Sequence, residues 1–487
     1  MPAHAAPLPD ASPPPPRPAG EHRHLTPPDH RPGAYASPRT WLLPLLVFLL
    51  LGGTGSALYI GGLGSPGDHL RHFPIAVVNE DRGAESIGPD GAATDENLGA
   101  TIAQEMKERT SQSDEVDLRE LSWDQAREQL RKGQLYAAVV IPESFSEDAV
   151  GLISSALTQT AATRPAITVY TNPLASPLGT SLAEASVDPA LQDASGRLGG
   201  RLSDSSQQAQ AQAQEEARAR LAQLPVAVRS ELGTSLEPRI DGTAAAVISD
   251  PIQVTTTPYE RTPEGAALGM GAFFYSVLLM VVGLSGSVAL HFLLDSRTGV
   301  LPVELGARFV LGPRLRPSRW GAFLLKWGIA VLAGLPMAGL MMWIANAVGM
   351  PIPHGGWFFL STWLSFVTVA SVVLALITLL GSAGMILSVI YVVFMGLPAA
   401  SGVVPLEALP RFFDAIARGE PLYQMTIANK AVLYFDAEAD AGLQAGIIGM
   451  LVIILIAVGL ALAGGFLYDR WFGRRGAALA PETAAAP

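Results

Sequence analysis

Hydrophobic residues gather into six long runs along the chain, with a polar segment of mixed strand and helix patterning between the first run and the second. A helix rises about 1.5 Å per residue and a bilayer's hydrocarbon core is about 30 Å thick, so around 20 apolar residues are needed to cross it. Residues 41–63, 266–294, 327–348, 357–380, 385–401 and 442–468 meet that requirement, the fifth run at the short end. Residues 351–406 contain no Asp, Glu, Lys or Arg. A single helix of that length would run about 80 Å, too long for any bilayer, so the stretch must fold back. Gly381-Ser382-Ala383-Gly384 is the expected turn, because small residues and two glycines let the chain reverse. The pattern predicts an α-helical membrane protein with six transmembrane helices and an α/β extracytoplasmic domain inserted between helices 1 and 2.

Inside the insert, residues 73–83 form a β-branched apolar run ending in turn formers, which reads as a buried strand and a loop. Residues 97–109 have helical spacing, with Leu98, Ile102 and Met106 on one face. A short strand follows at 116–121. Ser122-Trp123-Asp124-Gln125 then has the form of an N-cap and capping box for a helix ending near Gly133. Residues 134–141 make a strongly apolar strand, Pro142-Glu143-Ser144-Phe145 opens the next helix, and 166–171 and 252–257 are two further strands. Between them, residues 205–223 are rich in Ala, Gln, Glu and Arg and predict an exposed helix or helical hairpin standing off the core.

Charge placement gives the orientation, since Lys and Arg collect on the cytoplasmic side of short loops. Arg297, Arg308, Arg314, Arg316 and Arg319 follow the second run; Arg470, Arg474 and Arg475 follow the sixth; Arg17, Arg23, Arg31 and Arg39 precede the first. With six crossings these three segments share one side, so both termini are read as cytoplasmic in a multi-pass protein of the cell membrane. The layout is then a disordered proline-rich tail (1–40), the first helix (41–63) and the extracytoplasmic domain (64–264) with a helical excursion at about 175–239. A five-helix membrane domain (265–470), with external amphipathic helices at about 405–434, and a second tail (471–487) complete it. A competing reading makes residues 41–51 the core of a cleaved leader, with Gly55-Ser56-Ala57 as its cleavage site.

Only 15% of the residues are charged and nearly half are hydrophobic, a membrane balance that excludes a nucleic-acid-binding role. Residues 64–264 hold 30 Asp and Glu against 16 Lys and Arg, so the net charge of -11 is concentrated in the insert. An acidic surface of this kind keeps a domain soluble. The chain has no cysteine, which rules out disulfides and thiol chemistry.

Two tracts carry a family resemblance. Residues 73–83, FPIAVVNEDRG, resemble the Pro-Val-Ala-Val-Val-Asn-x-Asp opening of the phage-infection-protein family and its relatives among type-2 ABC exporter permeases, through Pro74, Asn79 and Asp81. Residues 129–145, QLRKGQLYAAVVIPESF, resemble the same families' Leu-x-x-Gly-x-x-x-Ala-x-x-Ile-Pro-x-x-Phe signature, through Gly133, Pro142 and Phe145. With one span before the insert and five after it, the similarity covers residues 40–475. A third tract, PLEALPRFF at 405–413 followed by PLY at 421–423, falls where these exporters place short external helices. Its residues agree: Leu406, Leu409, Phe413 and Ile416 share one helical face, and Glu407, Asp414 and Arg418 take the other. Leu409, Phe412 and Phe413 are candidates for an exit gate on that helix.

The resemblance implies a permease that exports a lipid, peptide or drug-like substrate with an external energy source such as a separate ATPase subunit, working as a homo- or hetero-oligomer. Its alternative is a non-transporting envelope scaffold or receptor. Permeases of this kind carry an acidic Gly-Thr-Leu-Glu type docking segment after the second span, and DSRTGVLPVE at 295–304 keeps part of that pattern. Arg297, Glu304, Arg308, Arg314 and Arg316 are therefore candidate contacts for a cytoplasmic partner or for anionic membrane lipids. No Gly-x-x-x-x-Gly-Lys-Ser/Thr run occurs, so the chain has no phosphate-binding loop of its own. No catalytic group, cofactor or metal site is expected: His69 and His72 lack a third ligand, and His354 stands alone in a loop. Within the spans only His291 and Lys326 are ionisable, and both are expected to reach the interface from helix ends. That placement argues against a proton relay.

Overall fold

A computed structural model describes residues 38–63, 65–87, 93–111, 113–158, 160, 163–223, 242–306, 308–313, 315 and 317–474. The leader through residue 37, residues 224–241 of the excursion, Arg314, Arg316 and the tail from residue 475 lie outside the described residues. The chain divides into two compact units, Met1–Gly53 and Thr54–Pro487, and the cut falls within the first long helix, Pro38–Leu63. In the first unit the helix leaves Leu43, Phe48 and Leu50 exposed, the arrangement of a helix with hydrocarbon around it.

In the second unit β2 (Ala84–Ile87) and β3 (Ala93–Glu96) pair antiparallel with each other, and a five-stranded sheet has the order β4 (Val116–Glu120), β1 (Phe73–Asn79), β5 (Ala137–Ile141), β6 (Ala166–Thr171), β7 (Gln253–Pro258). Strand β1 pairs in parallel with both neighbours, β5 and β6 are antiparallel, and β6 and β7 are parallel. Alternation along β1 sends Phe73, Ile75 and Val77 to one face, where the helices Leu98–Thr110, Phe145–Thr158 and Pro177–Ala222 cover them. Ala76 and Val78 turn to the other face and meet Ala126 and Leu130 of the helix Trp123–Arg131. The capping box is formed: Ser122 accepts from the Gln125 amide while the Gln125 side chain accepts from the Ser122 amide.

The helix Pro177–Ala222 behaves differently along its length. Ala183, Val187, Leu191, Ala194, Leu198 and Leu202, at spacings of three and four, bury one stripe against the domain. Past Ser206 the stripe gives out and most of the described side chains are exposed, as the Ala, Gln and Glu content dictates.

Among the described residues six helices are long and apolar enough to cross a membrane: Leu42–Gly61, Gly271–Arg297, Arg319–Ala347, Gly355–Leu380, Ser382–Ala399 and Ala439–Phe472. The third begins eight residues before the expected start at 327, because Ser318 caps it and Arg319 pairs with Asp469 of the sixth at 3.0 Å. The fourth is buried on nearly every face and forms the centre of the bundle. Gly381 alone separates it from the fifth, at φ +62°, a conformation that costs a residue with a Cβ.

Between the fifth and sixth spans Leu406, Leu409, Phe413 and Ile416, expected on one helical face, do not belong to one continuous helix. Leu406–Ala408 is one tight turn, Pro410 cannot extend it, and a short helix restarts at Arg411–Ala417. A second helix, Pro421–Tyr434, is buried around most of its circumference and wedges among the second, fourth and sixth spans. Asn429 pins this inter-span helix, accepting from Ser361 at 2.6 Å and donating to Ser276 at 2.9 Å.

Candidate functional site

The two motif tracts of the α/β domain meet at one carboxylate. Asp81 Oδ1 accepts from the amides of Gly83 (3.3 Å) and Ser146 (3.0 Å). Its Oδ2 accepts from the amide of Gly99 (2.9 Å) and the hydroxyl of Ser146 (2.5 Å). Gly99 and Ser146 each open a helix, so two sets of unpaired helix-start amides, each carrying partial positive charge, converge on one anion. Asn79 Oδ1 holds the Asp81 amide at 3.1 Å and shapes the loop. Pro142 ends β5 and accepts from the amide of Phe145, whose ring is fully buried. Pro74 lies early in β1, where its carbonyl accepts from Tyr136. These positions are occupied with folding, and the carboxylate is saturated by protein donors.

Gly133, the remaining motif residue, faces the membrane bundle. Its φ is +66°, and a Cβ there would stand 2.5 Å from the ring of Phe435. Around it lies a seam between the α/β domain and the chain on either side of the inter-span helix. Arg131 pairs with Glu438 at 2.5 Å and Lys132 with Asp440 at 2.7 Å. Arg71 reaches the Leu409 carbonyl at 2.7 Å, and the Tyr136 hydroxyl donates to Glu407 at 3.1 Å. Burial, reinforced by the Glu407 carboxylate, pushes the Tyr136 phenol well above its ordinary value. Leu409 and Phe413 are buried in a cluster with Leu70, Leu178 and Leu182 of the domain, whereas Phe412 is exposed.

Lys430 sits at the centre of the seam. Its ammonium donates to the carbonyls of Ala175 (2.6 Å) and Ser401 (3.4 Å), and burial pulls it down to about 8 despite the opposing pull of Glu407. In the sequence it falls within the external amphipathic helices expected at about 405–434. His354, read as solitary, is 2.9 Å from Asp436.

At the other end of the bundle the expectation for His291 and Lys326 is overturned. The second span continues through Asp295, which the sequence places in a loop, and all three side chains are buried. Lys326 pairs with Asp295 and lies 3.1 Å from His291 Nδ1, while His291 Nε2 is 3.6 Å from the same carboxylate. A buried charge this close to its counter-ion has no need to reach the interface. Next to the cluster, a cavity of about 190 Å³ opens between the second, third and fourth spans, lined by Gly283, Gly286, Leu290, Ala330, Gly334 and Met337.

After the second span the segment around Glu304 folds into a small antiparallel hairpin, β8 (Val303–Leu305) and β9 (Arg308–Val310). Arg297, Glu304 and Arg308 are exposed on or beside it, as are Leu305, Phe309, Leu311 and Leu315. Among the described residues no three His, Cys, Asp or Glu side chains are grouped to hold a metal.

A family model described as ABC-2 family transporter protein matches residues 39–464, nearly the whole of this architecture. The chain belongs to that family. ABC-2 permeases are membrane transport proteins whose ATPase is a separate subunit, in keeping with a chain that lacks a phosphate-binding loop. Compared with curated proteins and with solved structures, this ABC-2 chain matches none.

Proposed function

We propose that this ABC-2 permease is the membrane subunit of an exporter for a lipid, peptide or drug-like substrate, driven by a separate ATPase and working as an oligomer. The observation that carries the reading is the family match laid over six membrane-length helices in a chain without an ATP-binding loop. Both termini and the β8–β9 hairpin are assigned to the cytoplasm, where the basic residues collect, and the α/β domain to the outside. The hairpin offers Phe309 and Leu305 beside Arg297 and Arg308, a surface suited to an ATPase subunit. Leu409 and Phe413 tie the exit side to the α/β domain, so movement of the inter-span helix is transmitted outward. The apolar cavity between the second, third and fourth spans supports an amphiphilic cargo.

Two experiments test this reading. The cysteine-free sequence allows Gln207, exposed on the long helix, to be replaced by cysteine and probed on intact cells with an impermeant maleimide; labelling is expected, and protection until lysis would overturn the assignment of sides. The permease purified in mild detergent is expected to retain an ATPase subunit. Reconstituted together, the pair should move a fluorescent lipid or peptide in an ATP-dependent manner that Phe309→Glu weakens. Failure of any ATPase to associate and of any cargo to move would sink the proposal.

A further inference from the structure

Glu420 has no exposed surface, although it lies between the fifth and sixth spans rather than within one. It caps the inter-span helix: one carboxylate oxygen, Oε2, accepts from the Tyr423 amide at 2.9 Å. The other oxygen, Oε1, has no hydrogen-bond partner. It is pressed against the fifth span at Gly396, where a Cβ would stand 2.5 Å from it. An N-capping carboxylate ordinarily turns its second oxygen to water; here that oxygen is sealed in.

The surroundings do not balance a charge at this position. Among the described residues no Lys, Arg or His forms an ion pair with Glu420. The titratable side chain on the adjoining face of the fifth span is Tyr391, and its hydroxyl donates to the Gly419 carbonyl instead. On the neighbouring elements Glu407, Asp414 and Arg418 act on Tyr423, one turn along. What does favour the anion is the pair of amides of Leu422 and Tyr423, and burial outweighs them, pushing the carboxyl up to about 8. A carboxyl enclosed without a counter-ion takes up a proton rather than holding a bare charge.

We propose that Glu420 is a reversible proton-binding site, and that its neutral form seats the start of the inter-span helix against the fifth span at Gly396. Loss of the proton to solvent leaves a carboxylate whose Oε1 faces a wall with no donor. The contact at Gly396 then opens to admit water, and the first turn of the helix loosens. Because the other end of that helix carries Lys430 and the α/β seam, the charge on Glu420 also sets the footing of the domain. The site depends on the geometry of this side chain and is the same whatever the permease carries and whatever drives it.

The test is an infrared titration of the full-length protein in lipid nanodiscs, with glutamate labelled at the side-chain carboxyl with carbon-13. A labelled carboxylic-acid band is expected to persist at neutral pH, to fall by half near pH 8, and to be missing from Glu420→Gln. Glu420→Asp serves if the glutamine variant does not fold: it keeps an acid but moves it to an unlabelled residue type, so the labelled band must again disappear. Hydrogen exchange adds a structural readout. Amides at the start of Pro421–Tyr434 should gain roughly threefold or more in exchange across the same transition, beyond the intrinsic effect of pH, and the glutamine variant should show no such gain. A labelled band that is gone in mildly acidic buffer, or one unchanged in both variants, overturns the proposal.

Discussion

The ammonium of Lys430 donates to the backbone carbonyl of Ala175 at 2.6 Å, joining the inter-span helix to the α/β domain across 255 residues of sequence. At the start of the same helix lies the buried carboxyl of Glu420, and burial shifts the two groups in opposite directions, the carboxyl up and the ammonium down. Glu420 is held at about 8 against an ordinary 4.5, so its neutral form stabilises the fold fully below about 4.5 and that contribution is lost as the pH climbs to 8. Lys430 is held at about 8 against 10.5, so stability is regained as the pH rises from 8 to 10.5. Each limb is on the order of a few kcal/mol. The apparent unfolding temperature in detergent is expected to pass through a trough near pH 8; Glu420→Gln should flatten the acidic limb and Lys430→Met the alkaline one. Two unchanged limbs would show that these groups do not control the profile.

Gly133→Ala should weaken the seam. The substitution adds strain at a positive φ and drives a methyl into the Phe435 ring, together costing about 2–4 kcal/mol. Adding Phe435→Leu relieves the clash and leaves the strain, so the double variant should recover part of the loss in thermal unfolding. If Gly133→Ala matches the parent protein, the ring does not sit against this turn.

For Lys326 the expected result is a failure of additivity. Lys326→Met takes the lysine ammonium away from the buried Asp295 carboxylate, with His291 3.6 Å off, and should cost about 3–5 kcal/mol. Combining it with Asp295→Asn removes the carboxylate charge, so the pair together should be less damaging than the sum of the two changes. Simple addition in a double-mutant cycle would mean that the two groups do not interact.

Within the α/β domain, Phe145→Ala opens a cavity and is expected to lower stability by about 3–5 kcal/mol. Asp81→Ala unbinds four donors, three of them at the starts of two helices, and should cost a similar amount. Asn79→Ala removes one hydrogen bond and should cost about 1 kcal/mol. Denaturant unfolding orders the three; an Asn79 variant as damaged as the Asp81 variant would contradict the geometry.

What the sequence reveals depends on how far apart the interacting residues lie. The capping box at Ser122 and Gln125 spans three positions and is readable as a string, as are strands β1, β5 and β6 and the six spans, which need only length and hydropathy. The reason for the Asn-x-Asp motif is not, because the helix-start donors to Asp81 lie 18 and 65 residues away. Asp295 and Lys326 each look like a charge at the edge of an apolar run, and the string does not show that the two meet in space. Glu420 does carry a local signal, an acid immediately before a proline, which marks a helix start. Nothing in the string announces that this start is enclosed by the fifth span.

The seam also imposes an order on synthesis. Arg71 waits for Leu409, 338 residues later, and Lys132 for Asp440, 308 residues later. A ribosome that has finished strand β7 has delivered a complete sheet whose docking face still has nothing to hold. Until the last membrane hairpin emerges, that face is bare, and a chain cut short before it would present to the cell's proteases a surface that the finished molecule conceals.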